Sequence, residues 1–303
     1  MQRCKVFEKK NSKASYKNPP IPSGFEYVCG KWNSGFVIEC KFDRSQFVWI
    51  PVGFLRTNGT LDGNFFTEKF GRRPFKKEDE FSQEKFHEQI TEELSKQIES
   101  VKEYGGFYIS RYCISIYTHS KNPMSVRGNT PLTSMDFAQV KMFAQWFDYT
   151  NEVSSHLMYG AEYDTVMEWI IESSAKTWKE VVKYSSNWGN YWNSPEGEKG
   201  IAVTGSKEKW CVNNIFDLAG NVKLWTQERF GEADCVLRGG SYYDDGVSHP
   251  AAERTTISSK YPYYGAGFRV TLCLKQNTKN NMQEQGNFDW NPCFCNIKIK
   301  SAQ

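Results

Sequence analysis

The sequence predicts an α+β domain built from short strands, a few helices and long structured loops. Short runs of β-branched and aromatic residues are interrupted by Gly, Asn and Asp, which is typical of strands in a meander. Other segments repeat apolar residues at helical spacing. The 303 residues include 10 Trp, 16 Tyr and 21 Phe. This aromatic content favours an irregular, aromatic-packed core over a helical bundle.

The strands are predicted in two groups. The first group comprises 25–28, 35–38, 46–53 and 107–114. In the second group, a strand from Ala233 to Arg238 precedes Gly239-Gly240, and the last strand follows Gly267. We expect these glycines to adopt backbone angles that a residue with a Cβ avoids, which lets the chain turn sharply.

Three segments carry an apolar stripe at helical spacing. We expect Thr133 or Ser134 to cap the second helix, because a hydroxyl can accept a hydrogen bond from the free N–H groups of the first turn. Segments 54–85 and 174–213 are rich in Gly, Asn and charged or aromatic residues and are predicted to be loops. The three stripes are Ile90, Leu94, Ile98 and Val101; Phe137, Val140, Ala144 and Phe147; and Tyr163, Val166, Met167 and Ile170.

The two ends differ in composition from the intervening domain, which is expected to span 23–275. Residues 1–22 are polar and Lys-rich and end in a proline cluster, so we predict a flexible N-terminal arm. Residues 276–303 are rich in Asn, Gln and Lys and are predicted to form a tail. Cys293 and Cys295 in this tail lack the further ligands of a zinc site.

Charge and cysteine content exclude several functional classes. The net charge is only +3 with acids and bases interspersed, whereas a nucleic-acid-binding domain would have a basic stripe. No run approaches the ~18 apolar residues of a membrane span. The first residues lack the apolar stretch of a secretory signal, and the nine cysteines are irregularly spaced. We therefore expect a cytoplasmic protein with reduced thiols and neither nucleic-acid nor membrane partners.

Five motifs occur in order along the chain. They are Val48-Trp-Ile-Pro-Val-Gly53, Ala161-Glu-Tyr-Asp164, Asp217-Leu-Ala-Gly-Asn-Val222, Arg238-Gly-Gly-Ser241 and Gly267-Phe-Arg-Val270. Together they resemble the formylglycine-generating, or sulfatase-modifying factor, family, whose fold is related to C-type lectins. The likeness covers a family core over 45–274 and leaves 24–44 as accessory strands.

The resemblance also implies a chemistry whose key residues are replaced here. In the family's oxidases, two cysteines lie three and eight residues past the Ser of Arg-Gly-Gly-Ser, where they bind copper and convert a substrate cysteine to formylglycine. Asp244 and His249 occupy these positions. Because Cu(I) prefers thiolate ligands, copper binding and formylglycine formation are not expected, and the chain is predicted to be a pseudoenzyme. Asp244 and His249 could form a proton-transfer pair or be two polar surface residues.

A calcium site implied by the resemblance is also degenerate. Asp217, Gly220 and Val222 match the family's ligand positions, but Trp-Glu-Trp has become Lys223-Leu224-Trp225. Calcium requires several hard oxygen ligands, and one carboxylate has been lost. Lys223 would add repulsion, so this site is expected to be weakened or empty. The family's arginines, Arg238 and Arg269, are expected to hold loop carbonyls or a carboxylate.

The remaining candidate site is a tyrosine-rich segment over 242–266. Tyr mixed with Asp, Ser and Gly is the composition of antibody paratopes, because rigid aromatic side chains lose little entropy on binding. The segment also resembles the diversified region of lectin-fold variable proteins made by diversity-generating retroelements of bacteria and phages. A loop that packs on itself is the alternative. The candidate ligand-binding residues are Tyr242, Tyr243, Asp244, Asp245, His249, Tyr261, Tyr263, Tyr264, Trp188, Tyr191 and Trp192.

These observations favour a non-catalytic binding protein for a protein or glycan ligand. The resemblance to variable proteins adds diversification and an association with a phage particle or a surface assembly. One alternative is a formylglycine-generating-type oxidoreductase that acts on cysteine or thiol substrates. A second alternative is a structural domain that acts as a spacer.

Overall fold

The computed structural model describes residues 7–8, 15–16, 19–52, 70–82, 84–116 and 122–275. Most of the predicted arm, the whole tail at 276–303 and Cys293 and Cys295 lie outside these residues. The end of the arm is packed on the domain, because Pro19 and Pro22 are buried and the Tyr108 hydroxyl donates to the Pro20 carbonyl at 3.0 Å.

The described residues form seventeen strands and four α-helices, which confirms the predicted α+β class. Helices are α1 (Glu92–Tyr104), α2 (Phe137–Ala144), α3 (Gly160–Glu172) and α4 (Trp178–Val182), and 3₁₀ turns cover Gln145–Phe147 and Glu208–Trp210. Strands are β1 (Phe7–Glu8), β2 (Ser15–Tyr16), β3 (Phe25–Cys29), β4 (Val37–Cys40), β5 (Gln46–Pro51), β6 (Phe86–His87), β7 (Gly106–Ser110), β8 (Ser115–Ile116), β9 (Pro123–Met124), β10 (Val153–Leu157), β11 (Cys211–Val212), β12 (Ile215–Phe216), β13 (Lys223–Phe230), β14 (Asp234–Arg238), β15 (Arg254–Ser258), β16 (Ala266–Phe268) and β17 (Val270–Leu274).

The larger sheet is antiparallel, with strand order β10-β17-β7-β5-β4-β3. Successive side chains of a strand point to opposite faces. On β5, Val48 and Ile50 therefore join one apolar cluster, whereas Phe47 and Trp49 join another. Both faces of the sheet are covered, which explains why β5 is an almost continuous apolar run in the sequence.

The smaller sheet has the strand order β15-β14-β13-β16, and β6 also pairs with β13. Strands β13 and β16 are parallel, whereas β13–β14 and β14–β15 are antiparallel. Although β13 carries several polar residues, Lys223 to Glu228 are all buried. Strand β13 contributes Glu228 to a buried cluster of ion pairs and Lys223 to a separate ion pair with Asp244.

A buried cluster of ion pairs joins the smaller sheet to α3. Arg238 donates to Asp164 Oδ1 at 2.6 Å and to Glu228 Oε2 at 3.1 Å. Arg254 donates to Glu228 Oε1 at 3.0 Å, to Asp79 Oδ2 at 2.7 Å and to the second oxygen of Asp164. Burial by itself would raise the pKa of Glu228, but Arg254, Arg238 and Arg72 together hold it below its usual value.

The arginine cluster contains one more carboxyl group than guanidinium groups, so its charges cancel only when one carboxyl group is protonated. Arg72 and the fully buried Glu88 also lie near Glu228, so three guanidinium groups face four carboxyl groups. Burial raises the pKa of Glu88 to about 8 and outweighs both Arg72 and the backbone N–H groups of residues 160 and 161, which donate to its carboxylate. One carboxyl proton therefore makes the cluster neutral at pH 7.

Arg269 and Arg238 both donate hydrogen bonds to backbone carbonyls. The Arg269 guanidinium donates to the Ser110 carbonyl at 2.9 Å and to the Phe216 carbonyl. Arg238 likewise donates to the backbone carbonyls of Glu253 and Ala252, besides its two carboxylates. The expectation of loop carbonyls or a carboxylate is confirmed for Arg238, whereas Arg269 holds the carbonyls of the last residues of strands β7 and β12.

Several local expectations are wrong at the residue level. Asp136, not Thr133 or Ser134, caps α2, because its carboxylate accepts from the Gln139 N–H at 2.9 Å. Ile90 lies outside α1, because this helix begins after its cap residue Thr91. Ile90 is also exposed rather than part of the buried stripe.

Other differences concern element boundaries. Phe147 belongs to a 3₁₀ turn, the strand predicted at 107–114 ends at residue 110, and the expected loop at 174–213 contains α4. Gly267 lies inside β16 rather than in a turn. A Cβ there would lie 2.7 Å from the Cys113 sulfur, so close packing is what requires glycine.

No helix within the described ranges has the length and apolar character needed to cross a bilayer.

Replacement of Arg254 by Met should lower the free energy of unfolding by about 3–5 kcal/mol, because it leaves buried carboxylates without a partner. Urea unfolding measures this change. Arg127→Met is the matched control, since Arg127 pairs with Glu208 at the surface, where both side chains are at least half exposed, and should contribute less than about 1 kcal/mol. Equal effects of the two variants would contradict a stabilising role for the cluster.

The Glu88→Gln variant should gain stability over the wild type as the pH rises. The folded-state pKa of Glu88, about 8, lies above its unfolded value near 4.3, so its contribution is fully present below pH ~4.3 and is lost as the pH rises through 8. Urea unfolding at pH 5, 7 and 9 should show a difference that grows with pH. A pH-independent difference, or the same trend in the exposed-site control Glu84→Gln, would refute it.

Candidate functional site

The chain enters the candidate site through the turn that follows β14. Gly239 and Gly240 have φ angles of 96° and 79°, a left-handed region that favours glycine. A Cβ on Gly240 would lie 2.5 Å from the His249 carbonyl oxygen and 2.7 Å from the Tyr191 ring. The sharp turn predicted here is confirmed, and it directs the chain into a loop over 241–250.

A buried lysine anchors this loop to the smaller sheet. Lys223, the first residue of β13, has a side chain that is 3% exposed, and its Nζ lies 2.5 Å from Asp244 Oδ2. The Ser241 hydroxyl donates to the same oxygen at 2.5 Å. His249 Nδ1 lies 3.8 Å from Asp244 Oδ1, which is too long for a hydrogen bond. Asp244 is therefore paired with lysine rather than with imidazole.

This arrangement corrects two expectations from the sequence. Asp244 and His249 form no hydrogen-bonded proton-transfer pair, and Asp244 is not a plain surface residue. Lys223 was expected only to repel calcium, whereas it is the ionic partner of Asp244. The two residues are 21 positions apart and meet only because β13 and the 241–250 loop are adjacent. A lysine inside the apolar run Val222-Lys-Leu-Trp225 is the one sequence signal of a buried partner.

The aromatic side chains beside this loop are largely exposed. Trp192 is 68% exposed, Tyr261 68%, Tyr264 64% and Tyr243 42%. The Trp192 N–H donates to the Asp244 carbonyl at 3.1 Å, which places this residue next to the loop. Tyr243 shares a hydrogen bond with the Tyr263 hydroxyl and packs edge-on against Tyr242, at 5.2 Å between ring centroids. We call Trp192, Tyr243, Tyr261, Tyr263 and Tyr264 the tyrosine surface.

Two of the predicted contact residues are not on the surface. Trp188 and Tyr191 are fully buried in the apolar core, so they are unavailable to a ligand on the folded chain. The Trp188 indole donates to the Glu180 carbonyl at 3.2 Å, and the Tyr191 hydroxyl donates to the Gly239 carbonyl at 2.8 Å. Their role is to support α4 and the glycine turn.

Asp245 has a local structural role. Its carboxylate accepts hydrogen bonds from the N–H groups of Val247 at 2.9 Å and Ser248 at 2.8 Å. The Ser248 N–H contributes most to lowering the pKa of Asp245. This contact keeps the carboxylate ionised and shapes the tip of the 241–250 loop.

The residues around Asp217 do not fit a calcium ion. Asp217 Oδ2 accepts hydrogen bonds from the Thr204 hydroxyl at 2.7 Å and the Gly205 N–H at 2.9 Å, and only Oδ1 lacks a partner. Burial raises the pKa of Asp217. Calcium takes six to eight oxygen ligands, whereas these neighbours present hydrogen-bond donors. No cluster of three or more His, Cys, Asp and Glu side chains that could hold a metal occurs in the described ranges.

Five of the six described cysteines are poorly suited to thiolate chemistry. Burial raises the pKa of Cys113, Cys211 and Cys273 to about 11 and that of Cys40 and Cys235 to about 12. The thiolate is the form that attacks substrates and binds metals. Cys235 and Cys273 lie within strands β14 and β17, away from the 241–250 loop in sequence, so neither stands in for the replaced cysteines.

Comparison with known proteins identifies the family. The model of the sulfatase-modifying factor enzyme 1-like domain matches residues 36–273. The chain belongs to this family. The resemblance drawn from the ordered motifs is thereby confirmed. No curated protein sequence matches the chain.

The solved structures that are similar to this one include the following three. PvdO from Pseudomonas aeruginosa is 16% identical, with a TM-score of 0.49, over 81% of this chain and 100% of that chain. CarF is 13% identical, with a TM-score of 0.43, over 56% of this chain and 87% of that chain. Treponema denticola variable protein 1 is 14% identical, with a TM-score of 0.41, over 84% of this chain and 100% of that chain.

Replacing either member of the Lys223–Asp244 pair should destabilise the fold more than replacing both. Asp244→Leu leaves a buried ammonium unpaired and should cost about 3 kcal/mol of unfolding free energy, whereas Lys223→Met/Asp244→Leu removes both charges. Urea unfolding of Lys223→Met, Asp244→Leu and the double variant measures the coupling between the residues. Strictly additive effects would show that the pair does not anchor the loop.

Proposed function

We propose that this protein is a non-catalytic binding protein whose ligand, a protein, is held on the tyrosine surface. The observation that carries the proposal is the exposure of Trp192, Tyr243, Tyr261 and Tyr264 beside a loop fixed at its base. Exposed aromatic side chains are strong anchors in interfaces, because they bury a large area and have few torsions to immobilise.

The chemistry of the 241–250 loop supports binding rather than oxidation. Lys223 and Ser241 already satisfy the Asp244 carboxylate that replaces the first oxidase cysteine. The nearby imidazole of His249 is a single ligand, and Cu(I) favours soft thiolates. The neighbouring groups thus stabilise a loop conformation, while the aromatic side chains remain available for contact.

The structure also limits which positions of the tyrosine-rich segment could vary, if the segment is diversified and phage-associated as the resemblance to variable proteins implies. Arg254 belongs to the buried arginine cluster and Asp244 is paired with Lys223. Replacing either one would expose an unpaired buried charge. Variation would therefore be confined to exposed residues such as Tyr243, Tyr261 and Tyr264.

Peptides selected from a random library on the wild-type protein should depend on the tyrosine surface. Trp192→Ala and Tyr264→Ser should each weaken binding of the selected peptides by at least about thirtyfold, the effect of losing an aromatic hot spot worth about 2 kcal/mol. Biolayer interferometry measures the affinities, and a glycan array screened in parallel reveals a carbohydrate ligand instead.

The matched controls are aromatic residues that are exposed elsewhere on the fold, to a smaller fraction than Trp192 and Tyr264. Trp146 follows α2 and is 47% exposed, and Tyr27 lies on the edge strand β3 and is 51% exposed. Trp146→Ala and Tyr27→Ser should leave the affinities unchanged. If all four variants bind alike, the tyrosine surface is not the binding site and a spacer role becomes the better reading.

A further inference from the structure

A second exposed patch lies beside the tyrosine surface and differs from it in charge. It is formed by α4 and the residues after it, namely Trp178, Lys179, Lys183 and Tyr184. Trp178 and Tyr184 are 46% and 45% exposed, and both lysines are exposed as well. The Ser185 N–H donates to the Gly246 carbonyl at 2.8 Å, so this patch borders the 241–250 loop. We call it the α4 lysine patch.

Each lysine of the patch is held by an aromatic ring. Lys179 Nζ lies 4.8 Å from the centroid of the Tyr184 ring, and Lys183 Nζ lies 5.4 Å from that of Trp178. Both distances are within the range of a cation–π interaction. The two ammonium groups are thus positioned in advance, so less side-chain entropy would be lost when they bind an anionic partner.

The positive charge of the patch is not neutralised by neighbouring carboxylates. Glu180 pairs with Lys176 at 3.6 Å and also caps α4 through Thr177. Glu253, which follows a residue bonded to α4, pairs with Lys76. Across the part of the chain that the structure describes, neither Lys179 nor Lys183 has a carboxylate within ion-pair distance.

From these contacts we infer that the α4 lysine patch binds an acidic polypeptide segment. Carboxylates fit two fixed ammonium groups four residues apart, because each ammonium retains N–H donors that the ring does not use. Single-stranded nucleic acid fits less well, since bases stack on free aromatic faces and a lysine already lies over one face of each of the two rings. A membrane surface fits less well too, because α4 has only five residues and lacks the extended apolar face of an interfacial helix.

The experiment measures binding of poly-L-glutamate to the wild-type protein by biolayer interferometry, with poly-L-glutamine as the neutral reference. Lys179→Gln/Lys183→Gln should weaken poly-L-glutamate binding about tenfold, equivalent to about 1.4 kcal/mol. The matched control, Lys31→Gln/Lys41→Gln, removes two exposed lysines elsewhere and should leave the affinity unchanged. Equal loss in both double variants would overturn the proposal, because binding would then reflect net charge alone.

Three further measurements test the α4 lysine patch against simpler explanations. Trp178→Leu keeps both lysines but removes the ring under Lys183, so it should weaken poly-L-glutamate binding, whereas a purely electrostatic surface would not respond. Tighter binding to oligo-dT or to phosphatidylserine vesicles than to poly-L-glutamate would overturn the choice of partner. Trp192→Ala/Tyr264→Ser should leave poly-L-glutamate binding intact. A failure of the proposal for the α4 lysine patch can therefore be distinguished from a failure of the proposal for the tyrosine surface.

Discussion

The fold depends on the buried arginine cluster that joins α3, β13, β14 and β15. Charged groups of this kind are costly to bury, and their mutual attraction offsets the cost only when the geometry is good and every lone pair is satisfied. Asp164 and Glu228 each receive donors from both Arg238 and Arg254. The cluster therefore specifies one relative position of helix and sheet, because a shifted packing would leave several charges unpaired.

The candidate site is also held in place by a buried ion pair. One ion pair, Lys223–Asp244, ties the 241–250 loop to the end of β13, and the glycine turn at 239–240 sets the direction in which the loop leaves the sheet. Because these contacts fix the 241–250 loop at the point where it leaves the sheet, the loop can stay ordered while the aromatic side chains of the tyrosine surface remain exposed. The two predicted aromatics that proved to be buried, Trp188 and Tyr191, belong to this base.

Sequence reasoning succeeded where a signal is local and failed where it is shared between distant segments. The stripe over Leu94, Ile98 and Val101 lies in α1 as predicted, because helical spacing is a local property. The cap of α2 was assigned wrongly because Thr133, Ser134 and Asp136 can all act as caps, and the choice depends on where the preceding segment is held. The buried position of Trp188 is invisible in sequence, since Trp suits cores and binding sites equally.

The sequence by itself determined the α+β class, the family and the order of the main strands and helices. Tertiary structure alone decided that Asp244 pairs with Lys223, which of the aromatics are exposed, and that Lys179 and Lys183 stand over rings. The physical reason is that composition and periodicity report the state of one segment, whereas an ion pair or a buried ring depends on which segments meet. Which segments meet is set by the two sheets and by the arginine cluster that joins the smaller sheet to α3.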